Sequence, residues 1–257
     1  MSQDREIVFL TQNIWGGAAL WERRRTMLAR LIGEMRPGVI GLQEVHAQAA
    51  SGDLGQAGEL ARLAGGYRAW FAPGRVAAGG ECEGVALLCR EDIEVLDHSL
   101  EALTLDRDDP FERDSQRVVL RAAIRQAGAV IDVLVTHLSL SRRARARTVR
   151  ELVSFAARER QKSGSVGAVM MGDFNALPSE EAVCFLRASA GDACWVDTWM
   201  HTHPGKTGGT WPAGLPLRRI DYVFVQPGEG WTIARCERAP FSGSDHHGVA
   251  AWLRLGG

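Results

Sequence analysis

Apolar residues in this chain fall into short unbroken or alternating runs, and between them into stripes three and four positions apart. That alternation predicts strands interleaved with helices. Ile7-Val8-Phe9-Leu10-Thr11-Gln12-Asn13 reads as a strand that ends on an amide. From Leu20 to Met35 the apolar positions Leu20, Met27, Leu28, Leu31, Ile32 and Met35 keep helical spacing, with Arg23, Arg24 and Arg30 off the stripe. Pro37-Gly38 stops that helix, and Val39 to Glu44 forms the next strand, ending on an acid. Strand, helix and strand in this order imply an α/β arrangement. The Ala/Gly-rich stretch Gln48 to Gly66 predicts a loop and a short helix. Arg68 to Phe71 and Gly84 to Leu88 predict strands on either side of a Gly74 to Gly80 loop, and Ile93 to Leu100 predicts another. Asp106 to Ser115 is polar and reads as an exposed loop. Gln116 to Ile124 and Val130 to Leu138, bridged by Gln126-Ala127-Gly128, predict a hairpin. Val149, Leu152, Val153 and Ala156 give a helix over Arg145 to Arg160, and Glu180 to Arg187 a shorter one. Ile220 to Val225, Trp231 to Cys236 and Gly248 to Leu253 close the chain as strands. No internal repeat or low-complexity linker interrupts residues 1–257, which read as a single domain of mixed sheets with a few helices outside.

Composition narrows the classes of function. An apolar content of 46% over 257 residues supplies a sizeable core. The formal net charge of −1 argues against indiscriminate duplex binding while leaving room for a local basic patch. Lysine occurs only at Lys162 and Lys206, a bias that compositional drift toward arginine explains. The five cysteines are scattered and odd in number, with no C-x-x-C pair, so a disulfide framework or structural zinc site is not expected and a reducing compartment fits. Met1 to Arg5 is polar and leads directly into a strand-like run, with neither a signal-peptide core nor a bilayer-spanning stretch. The expectation is a cytoplasmic protein without stable membrane insertion, and no obligate protein partner is implied.

Candidate chemistry begins in Ala168-Val169-Met170-Met171-Gly172-Asp173-Phe174-Asn175. The apolar half reads as a buried strand, and Gly172 lets the chain turn. Residues two apart on a strand share a side, so Asp173 and Asn175 project together if the extended geometry persists. A carboxylate beside a carboxamide can ligate a hard cation such as Mg²⁺ or orient a water. Gly-Asp-x-Asn is equally a turn sequence. Other polar residues recur at strand ends: Asn13, Glu44, Thr136-His137 and Ser244-Asp245-His246-His247. Asp221 lies inside the apolar run Ile220 to Val225, where an acid is costly unless it is paired or on an edge. His201-Thr202-His203 lacks the nearby cysteine or acid that a zinc site needs and reads as a polar loop.

The order of these pieces resembles the endonuclease/exonuclease/phosphatase superfamily. The matching fragments are Thr11-Gln12-Asn13-Ile14-Trp15, Leu42-Gln43-Glu44-Val45, Thr136-His137-Leu138-Ser139, Gly172-Asp173-Phe174-Asn175, Arg219-Ile220-Asp221-Tyr222 and Ser244-Asp245-His246. The resemblance implies a four-layer αββα sandwich: two mixed sheets packed face to face, helices outside, and an active site where strand ends and loops meet at one edge. It also implies hydrolysis of a phosphodiester or phosphomonoester by in-line attack of an activated water, assisted by Mg²⁺ with Mn²⁺ as a substitute. Glu44 and Asp245 would bind the metal, with Asn13 beside them as a ligand or as a donor to phosphate. Asp173 would orient or deprotonate the water and Asn175 would position it. His246 would donate to a phosphoryl oxygen or move a proton, with Asp221 fixing its tautomer. His137 would supply a second hydrogen bond to the phosphate. Arg117 matches a position where relatives aim an arginine or tyrosine at the phosphate, and Trp211 one where they place a substrate-facing loop. The Arg142, Arg143, Arg145, Arg147 and Arg150 cluster reads first as a solvated helix face and second as a contact for a phosphate-rich substrate. A small or lipid-derived phosphate ester is the leading substrate class, a nuclease on DNA or RNA the alternative, and an inactive binding module a third reading. An inositol-phosphatase motif is lacking, since Pro216-Leu217-Arg218-Arg219 stands in its place, and no apolar membrane-insertion hairpin or leucine-rich repeat is evident.

Overall fold

The computed structural model describes residues 6–48, 54–188 and 194–256. Met1 to Arg5, and positions 49–53 of the Gln48 to Gly66 stretch, lie outside the described residues. In chain order the elements are β1 (Glu6–Asn13), α1 (Trp21–Met35), β2 (Val39–Gln48), α2 (Gly55–Ala64), β3 (Tyr67–Val76), β4 (Glu81–Arg90), β5 (Glu94–Ala102), β6 (Val118–Gln126), β7 (Ala129–His137), α3 (Arg142–Ser163), β8 (Gly167–Asp173), α4 (Glu181–Ala188), β9 (Val196–Asp197), α5 (Thr198–Thr202), β10 (Asp221–Gln226), β11 (Thr232–Arg238) and β12 (Val249–Arg254).

The strands form two six-stranded sheets, ordered β11-β12-β1-β2-β4-β3 and β5-β6-β7-β8-β10-β9. Each sheet is antiparallel except for one parallel pair, β1 with β2 and β7 with β8, and a helix makes each crossover. Phe9, Val39 and Leu87 from the first sheet and Leu120, Val133, Met171 and Val223 from the second share one buried cluster, so the sheets stack face to face. A second cluster joins Leu134, Met170 and Phe224 to Val149, Leu152 and Phe155 of α3 and Val183 and Leu186 of α4. A third joins Leu10, Ile40 and Leu88 to Leu28, Leu31 and Ile32 of α1 and Leu60 of α2. Two sheets inside and helices outside make the four-layer sandwich. Strand residues pointing inward and outward are therefore both buried, which is why β8 reads as an unbroken apolar run rather than an alternation.

Element bounds depart from the pattern where polar residues sit inside regular structure. Strands β3 and β4 extend past the expected Gly74 start of their loop, leaving 77–80 as the turn. Helix α3 starts three residues early because Ser141 caps it, its Oγ accepting from Ala144 N at 3.2 Å, and it ends at Gly164, whose φ of 66° a side chain would disfavour. Strand β9 and helix α5 carry too few apolar positions to announce themselves. The 106–115 segment is turn-rich and mostly exposed, yet Glu112 within it is buried and holds Arg147 at 2.8 Å. Among the described residues no helix is long and apolar enough to cross a membrane.

Candidate active site

Both parallel pairs deliver their carboxyl ends to the same edge of the sandwich. Asn13 ends β1, His137 ends β7 and Asp173 ends β8, while β2 carries Glu44 past that edge. Open α/β sheets bind ligands at such ends because the loops there diverge and leave a crevice.

Glu44 reaches the edge through a β-bulge. Pairing of β2 with β4 shifts between Leu42 and Val45, so Gln43 and Glu44 together face the partner strand, and Glu44 takes φ 56°. A left-handed glutamate inside a strand is conformationally costly, and bulges re-aim side chains. Its Oε1 accepts from Asn13 Nδ2 at 2.9 Å. The same amide nitrogen donates to Asp173 Oδ2 at 3.1 Å, and Asn13 Oδ1 accepts from Trp15 N at 2.9 Å. Asn13 thus presents its donor to the acids while its oxygen is engaged by the backbone.

Asp173 sits almost wholly buried, directly opposite Asp221 in the β8–β10 register. Gly172 lets β8 lie close against Thr136 of β7 just before the carboxylate. The extended path expected between Asp173 and Asn175 does not continue: β8 stops at Asp173 and Asn175 has φ 49°. A turn brings the two together instead, with Asn175 N donating to Asp173 Oδ1 at 2.8 Å. Asn175 Nδ2 then donates to Leu138 O at 3.0 Å and lies 3.1 Å from His137 Nε2. Because a carbonyl can only accept, the amide orientation is fixed and His137 Nε2 is an acceptor, with its proton on Nδ1. Burial, with Arg117 and His246 nearby, holds the His137 pKa well below the usual histidine range. His137 is therefore a neutral ring that accepts from Asn175 through Nε2 while lining the cleft.

His246 is the opposite case. Its Nδ1 lies 2.9 Å from Asp221 Oδ2 and its Nε2 3.8 Å from Asp173 Oδ2. Burial pulls its pKa down, but Asp221, Asp173 and Asp245 outweigh burial and push it up to about 10. For Asp173, burial and the facing Asp221 raise the pKa to about 7, against the pull of His246, Asn175 N and Asn13. Each of these two neighbours has what the other lacks: a carboxylate able to take a proton, and an imidazolium that holds one.

The metal-ligand candidates flank this pair. Trp211 Nε1 donates to Asp245 Oδ2 at 3.1 Å, while Asp245 Oδ1 is buried without a partner. Burial raises the Glu44 pKa; the Asn13 bond opposes the rise, and Glu83 and Asp245 add to it. An orphaned carboxylate oxygen beside a second acid that repels it is a donor set suited to a hard divalent cation. Asp173, Asp221 and His246 also offer ligand atoms within 4.8 Å of one another. That trio is already joined internally by the His246–Asp221 bond, and Glu44 and Asp245, which line the same cleft, are a further candidate pair for the ion.

All of these groups meet at one cleft of about 800 Å³, lined among others by Glu44, Arg117, His137, Asp173, Asn175, Trp211, Asp245 and His246. Asn13 and Asp221 stand behind that lining, bonded to Asp173 and His246. Among the described residues Arg117 forms no ion pair and its buried Nε has no partner, and burial lowers its pKa against the pull of Glu83, Asp173, Glu44 and Glu112. Supporting residues went unseen in the sequence. Thr210 Oγ1 accepts from Ile220 N and Asp221 N at 3.2 and 3.3 Å, and the buried Asp197 binds Arg219 through both oxygens at 2.9 and 2.8 Å. The Arg219-Ile220-Asp221 run hints at the second pair, but nothing in the sequence marks Asp197 as its partner.

Solved structures resemble this fold over nearly its whole length. An endonuclease/exonuclease/phosphatase from Beutenbergia cavernae DSM 12333 is 25% identical with a TM-score of 0.78, over 98% of this chain and 72% of that one. The human Nocturnin catalytic domain with bound sulfate anion is 20% identical with a TM-score of 0.76, over 98% and 94%. A mannosyl-6-phosphatase from Bacteroides thetaiotaomicron VPI-5482 is 17% identical with a TM-score of 0.72, over 97% and 100%. No curated protein sequence matches the chain. The sequence profile of the Endonuclease/Exonuclease/phosphatase family matches residues 10–246, from within β1 to His246, and the chain belongs to that family.

Proposed function

We propose that the protein is a metal-dependent phosphoesterase that hydrolyses a phosphodiester or phosphomonoester of a small or lipid-derived compound. The observation that carries this reading is geometric: His246, tied to Asp221 at 2.9 Å, points its Nε2 to within 3.8 Å of Asp173 Oδ2 in a cleft that Glu44, Arg117 and Asp245 also line. Asp173 Oδ2 accepts the proton of the attacking water, and Asn13 and the Asn175 backbone hold that carboxylate in place. His246 Nε2 donates to a phosphoryl oxygen, its other nitrogen tied to Asp221 so that the ring neither rotates nor loses its proton. Arg117, without a carboxylate partner, binds a second phosphoryl oxygen. Glu44 and Asp245 would hold Mg²⁺, or Mn²⁺ in its place, with Trp211 fixing Asp245 and offering its ring to the substrate. When bound, that ion supplies charge neutralisation to the phosphoryl group. The sulfate bound by the Nocturnin domain and the phosphatase named in Bacteroides support a phosphate-class substrate.

The test uses bis-p-nitrophenyl phosphate. Mg²⁺ or Mn²⁺ is expected to support its cleavage and EDTA to abolish it. Mg²⁺ should also raise the melting temperature of the wild type but not of Glu44→Gln, since a ligand bound only by the folded state stabilises it. Absence of both hydrolysis and the thermal shift refutes the reading.

A further inference from the structure

The turn after β8 is held from outside as well as from within. Asn175, at φ 49°, donates its backbone N–H to Asp173 Oδ1 and its side-chain amide to Leu138 O at 3.0 Å. It thereby bridges the connection after β8 to the connection after β7. A second bridge joins the same two connections a few residues further on. Arg145 of α3 donates from Nη1 to Ser139 O and Leu140 O at 3.0 and 2.7 Å, and from Nη2 to Glu180 Oε2 at 2.6 Å. The other Glu180 oxygen accepts from Leu177 N at 3.1 Å, just beyond Asn175 in the chain. This strut is nearly sealed from water, the Arg145 and Glu180 side chains being 5% and 11% exposed. Burial pushes the Glu180 pKa up, yet Arg145, Leu177 N and Arg142 hold it below its ordinary value, so the carboxylate stays charged.

The fold does not need this pair to join its helices. Val149 and Leu152 of α3 and Val183 and Leu186 of α4 share one apolar cluster, and Ser141 caps α3. A buried ion pair is weak evidence for stability, because desolvation of both charges offsets their attraction. What such a pair fixes is geometry, since a planar guanidinium with three acceptors sets the spacing of the groups it binds. Of the arginine-rich run that opens α3, Arg143, Arg147 and Arg150 pair with Asp106, Glu112 and Glu181, while Arg145 reaches both connections. Arg142, its side chain 80% exposed, adds a looser contact to Glu180 Oε2 at 3.3 Å.

We propose that Arg145 and Glu180 are positioning residues for the hydrolysis: they set the separation of the two connections and so hold the left-handed Asn175 against Asp173 and His137. This rests on the phosphoesterase reading above and adds to it two residues that act through Asn175. Without the strut the asparagine relaxes out of its costly backbone conformation, and its N–H leaves the Asp173 carboxylate.

Hydrolysis of bis-p-nitrophenyl phosphate with Mg²⁺ is measured beside amide hydrogen exchange at Asn175 by NMR, each variant being kept below its melting temperature. Arg145→Ala and Glu180→Ala should each lower kcat about a hundredfold, the cost of misplacement by about 1 Å, with KM within about twofold of the wild type. The double variant should be no worse than either single one, because both break the same strut. Glu180→Gln keeps an acceptor for Leu177 N and for Arg145 without the charge, and should recover about tenfold of the lost kcat. Exchange of the Asn175 N–H should quicken at least about tenfold in Arg145→Ala. Arg150→Ala breaks the exposed link between α3 and α4 at Glu181 and should change neither readout. If Arg145→Ala does not fold, Glu180→Gln decides alone, and a kcat within about twofold of the wild type refutes the strut. Additive losses in the double variant, or single variants with kcat within about twofold of the wild type, also refute it and leave the phosphoesterase reading standing. A wild type that hydrolyses nothing sinks that reading, and unchanged exchange at Asn175 sinks the strut on its own.

Discussion

Gly172→Ala tests whether the close approach of β7 to β8 sets the catalytic geometry. A Cβ at Gly172 would stand 2.0 Å from Thr136 O and 3.0 Å from its carbonyl carbon, both backbone atoms in a paired strand. Nothing flexible is available to give way, so the strands must part by about 1 Å to reach even a tight contact. Immediately downstream, Leu138 N donates to Asp173 O at 2.9 Å, and a shift of that size takes it out of hydrogen-bonding range. Overpacking of about 1–3 kcal/mol plus about 1 kcal/mol for the lost bond predicts a destabilisation of about 2–4 kcal/mol. For a chain of this size that is a fall in melting temperature of about 5–10 °C. Turnover should fall further than stability implies, because the same shift moves Asp173 and Asn175 away from His246 and His137, and misplacement by about 1 Å costs on the order of a hundredfold. The assay pairs thermal unfolding by circular dichroism with turnover of bis-p-nitrophenyl phosphate at a temperature where the variant stays folded. Gly79→Ala, with no atom within 4 Å of the added Cβ, is the control and should match the wild type in both. A Gly172→Ala protein that melts within about 1 °C of the wild type and turns over within about twofold of it would show that this approach does not set the site.

Four further outcomes follow from the same contacts. Asp221→Asn removes the charge that helps hold the His246 pKa at about 10, so turnover should fall about 10²–10⁴-fold and the alkaline limb of the pH–rate profile should move to lower pH; an unmoved limb refutes the pairing. The sign for stability is the same: a raised imidazole pKa stabilises the fold below pH 6.5 and the contribution is lost as pH rises toward 10, so wild-type melting should fall across that window more than that of His246→Ala. Asp197→Ala leaves Arg219 buried and uncompensated, and urea unfolding should register a loss of about 3–5 kcal/mol; a loss below about 1 kcal/mol would mean that water enters freely. Trp211→Phe keeps the ring and removes the N–H held by Asp245, so calorimetry should find Mn²⁺ binding weakened at least about tenfold, and unchanged affinity would remove Asp245 from the ligand set.

How much of this was legible in the sequence depended on where each polar residue sat relative to an apolar run. Asn13, His137 and Asp173 could be read because each ends such a run, and the run fixes both the strand and its last residue. Asp221 could be read because an acid beside Tyr222-Val223-Phe224-Val225 has few inexpensive positions. Glu44 was legible as a strand end but not as a bulge: β2 continues to Gln48, and no residue type distinguishes a left-handed Glu44 from an extended one. Asn175 reached its expected neighbour by a turn rather than along a strand, since Asn tolerates the left-handed region and its amide bonds locally. The protonation contrast between His137 and His246 was invisible. It depends on Asp221 bonding the His246 ring while burial and Arg117 act on His137, and chain order holds no trace of that. Asp197 and Arg219 were invisible as a pair because only the folded position of β9 beside β10 brings them together.

A sequence selected for stability alone would not build this edge of the sandwich. Asp173 and Asp221 are directly opposed across β8 and β10, where like charges destabilise a sheet, and both are buried. Glu44 occupies a backbone conformation that glycine would adopt at less cost, and Asp245 keeps a buried oxygen without a hydrogen bond. Replacing the facing acids with valines would fit the apolar pattern of both strands and leave the core clusters intact. Each violation is offset by a neighbour: His246 between the two aspartates, Asn13 spanning Glu44 and Asp173, Trp211 on Asp245. These offsets arise from elements scattered over the chain and converge on one cleft. Local errors of folding would not converge in this way, whereas a site that must hold opposed charges ready for a phosphate requires it.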